Sequence, residues 1–182
     1  MSDGYESVPS TSAGGPLPAA VRQVEAHAAA AGWDQPEALY ALVPTDQLLA
    51  REPQLAVSMG LDSATAAGSL TPVTQEPLPS GRTFEESVRQ VGWPAEVVGA
   101  AVVLERVVLP PAAEHRAPLD REQADRFAAT HPDRQDVRMA AGVLRDGRAY
   151  CVLRIRSHDD AIVEGADLVP DLVRILAATM QD

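Results

Sequence analysis

Asp136-Val-Arg-Met-Ala-Ala-Gly-Val-Leu-Arg-Asp-Gly-Arg-Ala-Tyr-Cys-Val-Leu-Arg-Ile-Arg156 alternates over most of its length and breaks once, at Asp146-Gly147. The alternation and the break predict a β-hairpin. A two-residue loop would set Leu144 against Ala149 and mix arginine with aliphatic residues on both faces of the ribbon. A three-residue loop, Arg145-Asp146-Gly147 with Gly147 in the left-handed bulge position, pairs Leu144 with Arg148 instead. Val137, Met139, Ala141, Val143, Ala149, Cys151, Leu153 and Ile155 then share one face. Arg138, Arg148, Arg154 and Arg156 occupy the other, beside Ala140, Leu144, Tyr150 and Val152. Because a slip of one residue would scramble this separation, burial selects the longer loop.

The rest of the chain can surround such a ribbon. With 182 residues, it is long enough for one domain to bury most of its apolar surface without a staple. Residues 1–16 are rich in Ser, Gly and Pro and read as a disordered tail, leaving residues 17–182 as a single domain. Helical spacing runs from Leu17 to Ala31 and ends at Gly32. A strand is expected over residues 38–43, closed by Pro44. A helix capped by Thr45 and interrupted at Pro53 follows, then an edge strand at Leu70-Thr-Pro-Val-Thr. Thr83 and Glu86 have capping-box spacing. Residues 97–109 form the longest apolar run, a central strand interrupted only by Glu105 and Arg106. Asp120 is placed to cap another helix, an acidic loop follows Ser157, and Asp167 is placed to cap the last helix. The expected fold class is α+β: an antiparallel β-sheet, a meander that includes the 136–156 hairpin, with helices packed mainly on one face.

Charge narrows the functional classes. The net charge of -11 argues against a nucleic-acid partner. All 15 basic residues are arginine. Six of them (Arg134, Arg138, Arg145, Arg148, Arg154 and Arg156) stand against only Asp136 and Asp146 between residues 134 and 156, so the hairpin is a basic ribbon on an acidic chain. No run reaches the ~18 apolar residues of a membrane span and no leader is legible, so a cytoplasmic protein without membrane insertion is expected.

Gly32-Trp-Asp-Gln-Pro36 with Leu39-Tyr-Ala-Leu-Val43, Leu70-Thr-Pro-Val73, Val137-Arg-Met139, Leu144-Arg-Asp-Gly147 and Gly165-Ala-Asp-Leu-Val-Pro170 together resemble an uncharacterised actinobacterial protein family over roughly residues 17–180. That resemblance implies no activity, cofactor or catalytic residue. At the level of fold alone, the order of elements is similar to type III secretion chaperones and YbjN-like proteins.

No catalytic constellation is legible. Cys151 is the single cysteine and falls on the inward face, as a structural thiol would. His27, His115, His131 and His158 lack the spacing of a metal site, so neither metal nor cofactor is expected. Glu105, inside an apolar strand, is expected to pair across the ribbon with Arg138 or Arg154; unpaired, it would be a candidate acid or base. The remaining feature is the arginine face. Arg138, Arg148, Tyr150, Arg154 and Arg156, with Arg106 and Glu105, form a candidate binding surface for a protein partner carrying an acidic segment. The expected function is therefore a non-enzymatic adaptor or chaperone-like module. The alternative is a small-molecule-binding protein or small enzyme with a pocket near Glu105, beside Trp33 and Trp93.

Overall fold

A computed structural model describes residues 14–181. Residues 1–13 of the expected tail lie outside the described residues, while Gly15 and Pro16 already open helix α1 (Pro16–Ala31). A sheet of six strands carries the fold: β1 (Ala38–Pro44), β2 (Leu70–Thr74), β3 (Gly99–Val108), β4 (Gln135–Leu144), β5 (Ala149–Ile155) and β6 (Ile162–Gly165). Their order is β2-β1-β3-β4-β5-β6, and every neighbouring pair is antiparallel. The class is α+β, and β3 to β6 run as a meander.

The hairpin closes in the longer register. Val143 faces Ala149 and Arg138 faces Arg154. The Leu144 N–H donates to the Arg148 carbonyl at 2.9 Å, the Gly147 N–H donates to the Leu144 carbonyl at 3.0 Å, and Gly147 has φ 89°. Each face of the sheet then has its own core. On one side Leu17, Val21, Val24 and Ala28 of α1 cover Tyr40, Leu42, Ala101, Val103, Ala140, Tyr150 and Val152. On the other, α5 (Phe84–Val88) and α8 (Pro170–Thr179) bring Phe84, Val88, Leu172 and Leu176 against Leu39, Ala100, Val102, Ala141, Val143 and Cys151.

Small residues let α1 sit close. A β-carbon at Gly142 would stand 2.5 Å from Val21 Cγ2, so β4 needs glycine where the helix crosses it. α1 therefore covers the hairpin's arginine face, so helices pack on both faces of the sheet rather than mainly on one as expected.

Four local expectations change. Residues 162–165, expected in an acidic loop, form β6, because β5 supplies the pairing that four residues cannot provide alone. The small polar stretch after Gly60 holds a turn of helix, α4 (Ser63–Ala66), capped by Asp62. It follows α2 (Thr45–Arg51) and α3 (Pro53–Ser58). Thr45 makes no capping bond; its buried hydroxyl lies 2.9 Å from that of Thr71 and accepts from Ser69. Asp167 does not cap α8, whose N-cap is Val169 with Pro170 in the first turn. The capping box of Thr83 and Glu86 forms as expected, and so, after the short α6 (Pro111–Glu114), does the Asp120 cap of α7 (Arg121–Thr130). No helix among the described residues is long and apolar enough to cross a membrane.

Candidate functional site

Beneath the end of α1, the arginine face is closed by an ion network. Glu25 stands on the helix stripe that carries Val21 and Ala28, and only 2% of it is exposed. Both its oxygens accept from Arg154, at 2.6 and 2.9 Å. Arg138, 1% exposed, lies between Glu25 at 3.7 Å and Glu105 at 3.2 Å. Arg138 also donates to the Gly32 carbonyl. Its guanidinium stacks 4.2 Å from the centre of the Trp33 ring. The expected pairing of Glu105 with Arg138 is present, and the second oxygen of Glu105 accepts the Asp34 N–H at 2.8 Å. Asp34 adopts φ 64° to make that contact.

The other sequence-selected residues are also engaged. Arg156 forms a two-pronged pair with Asp34 at 2.9 and 3.0 Å, which holds the Asp34 carboxyl below its ordinary range. Arg106 pairs with Glu37, and Arg148, in the exposed loop, with Asp146. Tyr150 donates to Glu164 at 2.9 Å and accepts from Arg22, which itself grips Glu164. Arg22 pulls the Glu164 carboxyl below its ordinary range, whereas burial pushes the Tyr150 hydroxyl up. Arg138, Arg154, Arg156 and Glu105 thus converge on one network, while Arg148 stands apart from it.

Glu25 was missed by sequence reasoning. Its signal is a lone carboxylate on an apolar helix stripe, an arrangement that calls for a buried cation.

Catalytic chemistry finds little support in these surroundings. Both oxygens of Glu105 already accept hydrogen bonds. The hollow beside it, about 540 Å³, is walled by Asp34, Arg106, Arg134, Asp136 and Arg156, with Val107 and Ala129 as its apolar part. Cys151 is buried, and burial raises its thiol pKa, the reverse of an activated nucleophile. Among the described residues no group of three or more His, Cys, Asp or Glu could hold a metal ion. His27 faces solvent, and His131 sits edge-on to Phe127 at the end of α7.

The opposite face carries a different site. Strands β3 and β4 have ten residues each, ~33 Å at strand rise, and α5 has five, ~7.5 Å. α8 covers part of the same face, and where the two helices leave a gap there is a cleft of about 640 Å³, in which the half-buried Met139 and Ile175 lie beside the buried Leu104, Phe84 and Leu172. Arg82, Arg106, Arg121, Glu37 and Glu85 rim it. Arg106 and Glu37 neutralise one another, and Glu85 pairs with Arg89. Among the described residues, Arg82 donates only to the neutral Gln90, at 2.7 Å. Neither Arg82 nor Arg121 makes an ion pair within 4 Å among the described residues. Both reach Glu86 through space and add to the lowering of its pKa, which comes first from the Thr83 N–H and hydroxyl. Sequence reading passed over this cleft, because its two cations stand far apart in the chain, Arg82 in the loop before α5 and Arg121 in the first turn of α7.

No curated protein and no solved structure matches the chain, so no solved structure stands beside the fold analogy to secretion chaperones and YbjN-like proteins. A family model described as PPA1309-like protein matches residues 17–181, from the first turn of α1 to the second residue after α8, and the chain belongs to that family.

Proposed function

We propose that the protein is a non-catalytic binding module of the cytoplasm, and that it grips a partner at the cleft between α5, α8 and the sheet rather than on the arginine face of the hairpin. The observation that carries this reading is the pair Arg82 and Arg121, cations without an ion pair among the described residues, beside an apolar floor. Such a rim and floor suit an extended protein segment with acidic side chains flanking an apolar one. The apolar residue displaces water from the half-buried Met139 and Ile175, and the carboxylates meet the guanidinium groups.

The acidic partner is thus kept and its place moves. On the hairpin Arg138, Arg154 and Arg156 already answer the protein's own carboxylates, and α1 lies over the first two.

Fluorescence polarisation with labelled peptides alternating Glu with Leu or Phe tests the assignment. Binding is expected, with loss in the Arg82→Glu, Arg121→Glu double variant and for a peptide whose Glu residues become Lys. An Arg148→Ala, Arg156→Ala variant should bind as well as the parent. If the ribbon variant loses binding and the cleft variant keeps it, the partner surface is the hairpin and the reading fails.

A further inference from the structure

The sheet ends on two edges that differ in protection. β2 carries Pro72, which has no N–H to offer an incoming strand and is tolerated only on an edge. β6 has no proline and no basic residue, and its Ile162 and Val163 are 43% and 51% exposed. Charged edge residues ordinarily discourage further pairing. The one charge on β6, Glu164, is held by Arg22 and Tyr150 and does not serve that purpose. Among the described residues no strand pairs with β6 on the side away from β5, so its backbone can take one more.

The surroundings select what that strand carries. Asp160 just before β6 and Asp167 just after it are exposed and make no ion pair among the described residues. A second copy of the chain fits poorly. Antiparallel self-pairing centred on Val163 sets Asp159 against Asp167, and pairing centred on Glu164 sets that carboxylate against its own copy.

We infer that β6 is a docking edge for an extended segment of another protein that alternates lysine or arginine with aliphatic residues, adding a seventh strand to the sheet. The segment's backbone pairs with β6, its aliphatic side chains cover Ile162 or Val163, and its cations sit near Asp160 and Asp167. This surface lies apart from the arginine-rimmed cleft and takes a partner of opposite charge, so either assignment can fail without the other.

The test uses the full chain and an acetylated, amidated Lys-Val-Lys-Val-Lys-Val-Lys peptide, with titration and amide hydrogen exchange as readouts. Saturable binding is expected, with slower exchange confined to residues 161–166. A peptide N-methylated at alternate residues on its pairing edge should lose binding while keeping its charge. An Asp160→Lys, Asp167→Lys variant with unchanged melting should bind about tenfold or more weakly. Equal binding of the N-methylated peptide would overturn strand addition and leave only charge attraction. Protection elsewhere in the chain, or sedimentation as a dimer that buries β6 without peptide, would overturn the assignment as well.

Discussion

Arg138 and Arg121 carry the same charge in opposite settings. Arg138 lies beneath α1 between two carboxylates and an indole. Arg121 ends at the rim of an open cleft on the other side of the sheet. A buried ion network adds little net stability, since desolvation offsets most of the attraction, but it penalises misplacement strongly. Glu25 meets Arg138 and Arg154 only when Val21 lies over Gly142, so the network sets the rotation and height of α1 on the sheet. Arg121 has no such role. What distinguishes an architectural arginine from one available to a partner here is whether the protein already supplies its counter-charge.

The contrast breaks most sharply at Glu25. Glu25→Leu leaves Arg138 and Arg154 short of a carboxylate, and urea unfolding should record a loss of about 3–5 kcal/mol. A fall below 1 kcal/mol would mean that water reaches the network. Gly142→Ala drives a methyl group into Val21, a stiff β-branched side chain that cannot turn away; a cost of about 1–3 kcal/mol is expected from thermal or urea unfolding. In the connecting turn, Gly147→Ala places a β-carbon at positive φ and should cost about 1–2 kcal/mol without disturbing either face.

The Arg22–Glu164–Tyr150 cluster sharpens the comparison through pH. Glu164 titrates below its ordinary range in the folded protein, so as pH falls the unfolded chain takes up this proton first. Its contribution is complete above the ordinary glutamate value, ~4.3, and disappears as pH falls through the lowered folded value. The melting difference between parent and Glu164→Gln should therefore be largest near neutrality and shrink toward zero in acid. A difference independent of pH would show that the carboxylate's charge is not what matters. Smallest of all, Arg121→Ala should change stability by no more than about 0.5 kcal/mol, since the side chain supports nothing in the fold.

The sequence read well where local rules govern. The hairpin register follows from alternation and Gly147, the central strand from its unbroken apolar run through Leu104, and α1 from helical spacing closed by Gly32. The partner of Glu105 was also legible, because a carboxylate inside a strand needs a cation and the ribbon offers two. What escaped depends on neighbours distant in the chain. β6 is a strand only because β5 lies beside it. The arginine face is covered because α1 packs there, and its alanines and Gly142 permit that approach without announcing which side of the sheet they take. The cleft lies where α5, α8 and the sheet meet, and its lining residues come together only once all three are assembled.

Arginine modification measures the contrast directly. With no lysine in the chain, phenylglyoxal labelling of the native protein followed by peptide mass spectrometry reports each guanidinium in turn. Rapid labelling of Arg82 and Arg121 is predicted, with Arg138 protected until the protein unfolds. Labelling of Arg138 in the native state as fast as that of Arg121 would contradict the account, because the arginine face would then be open and the cleft would hold no special claim to a partner.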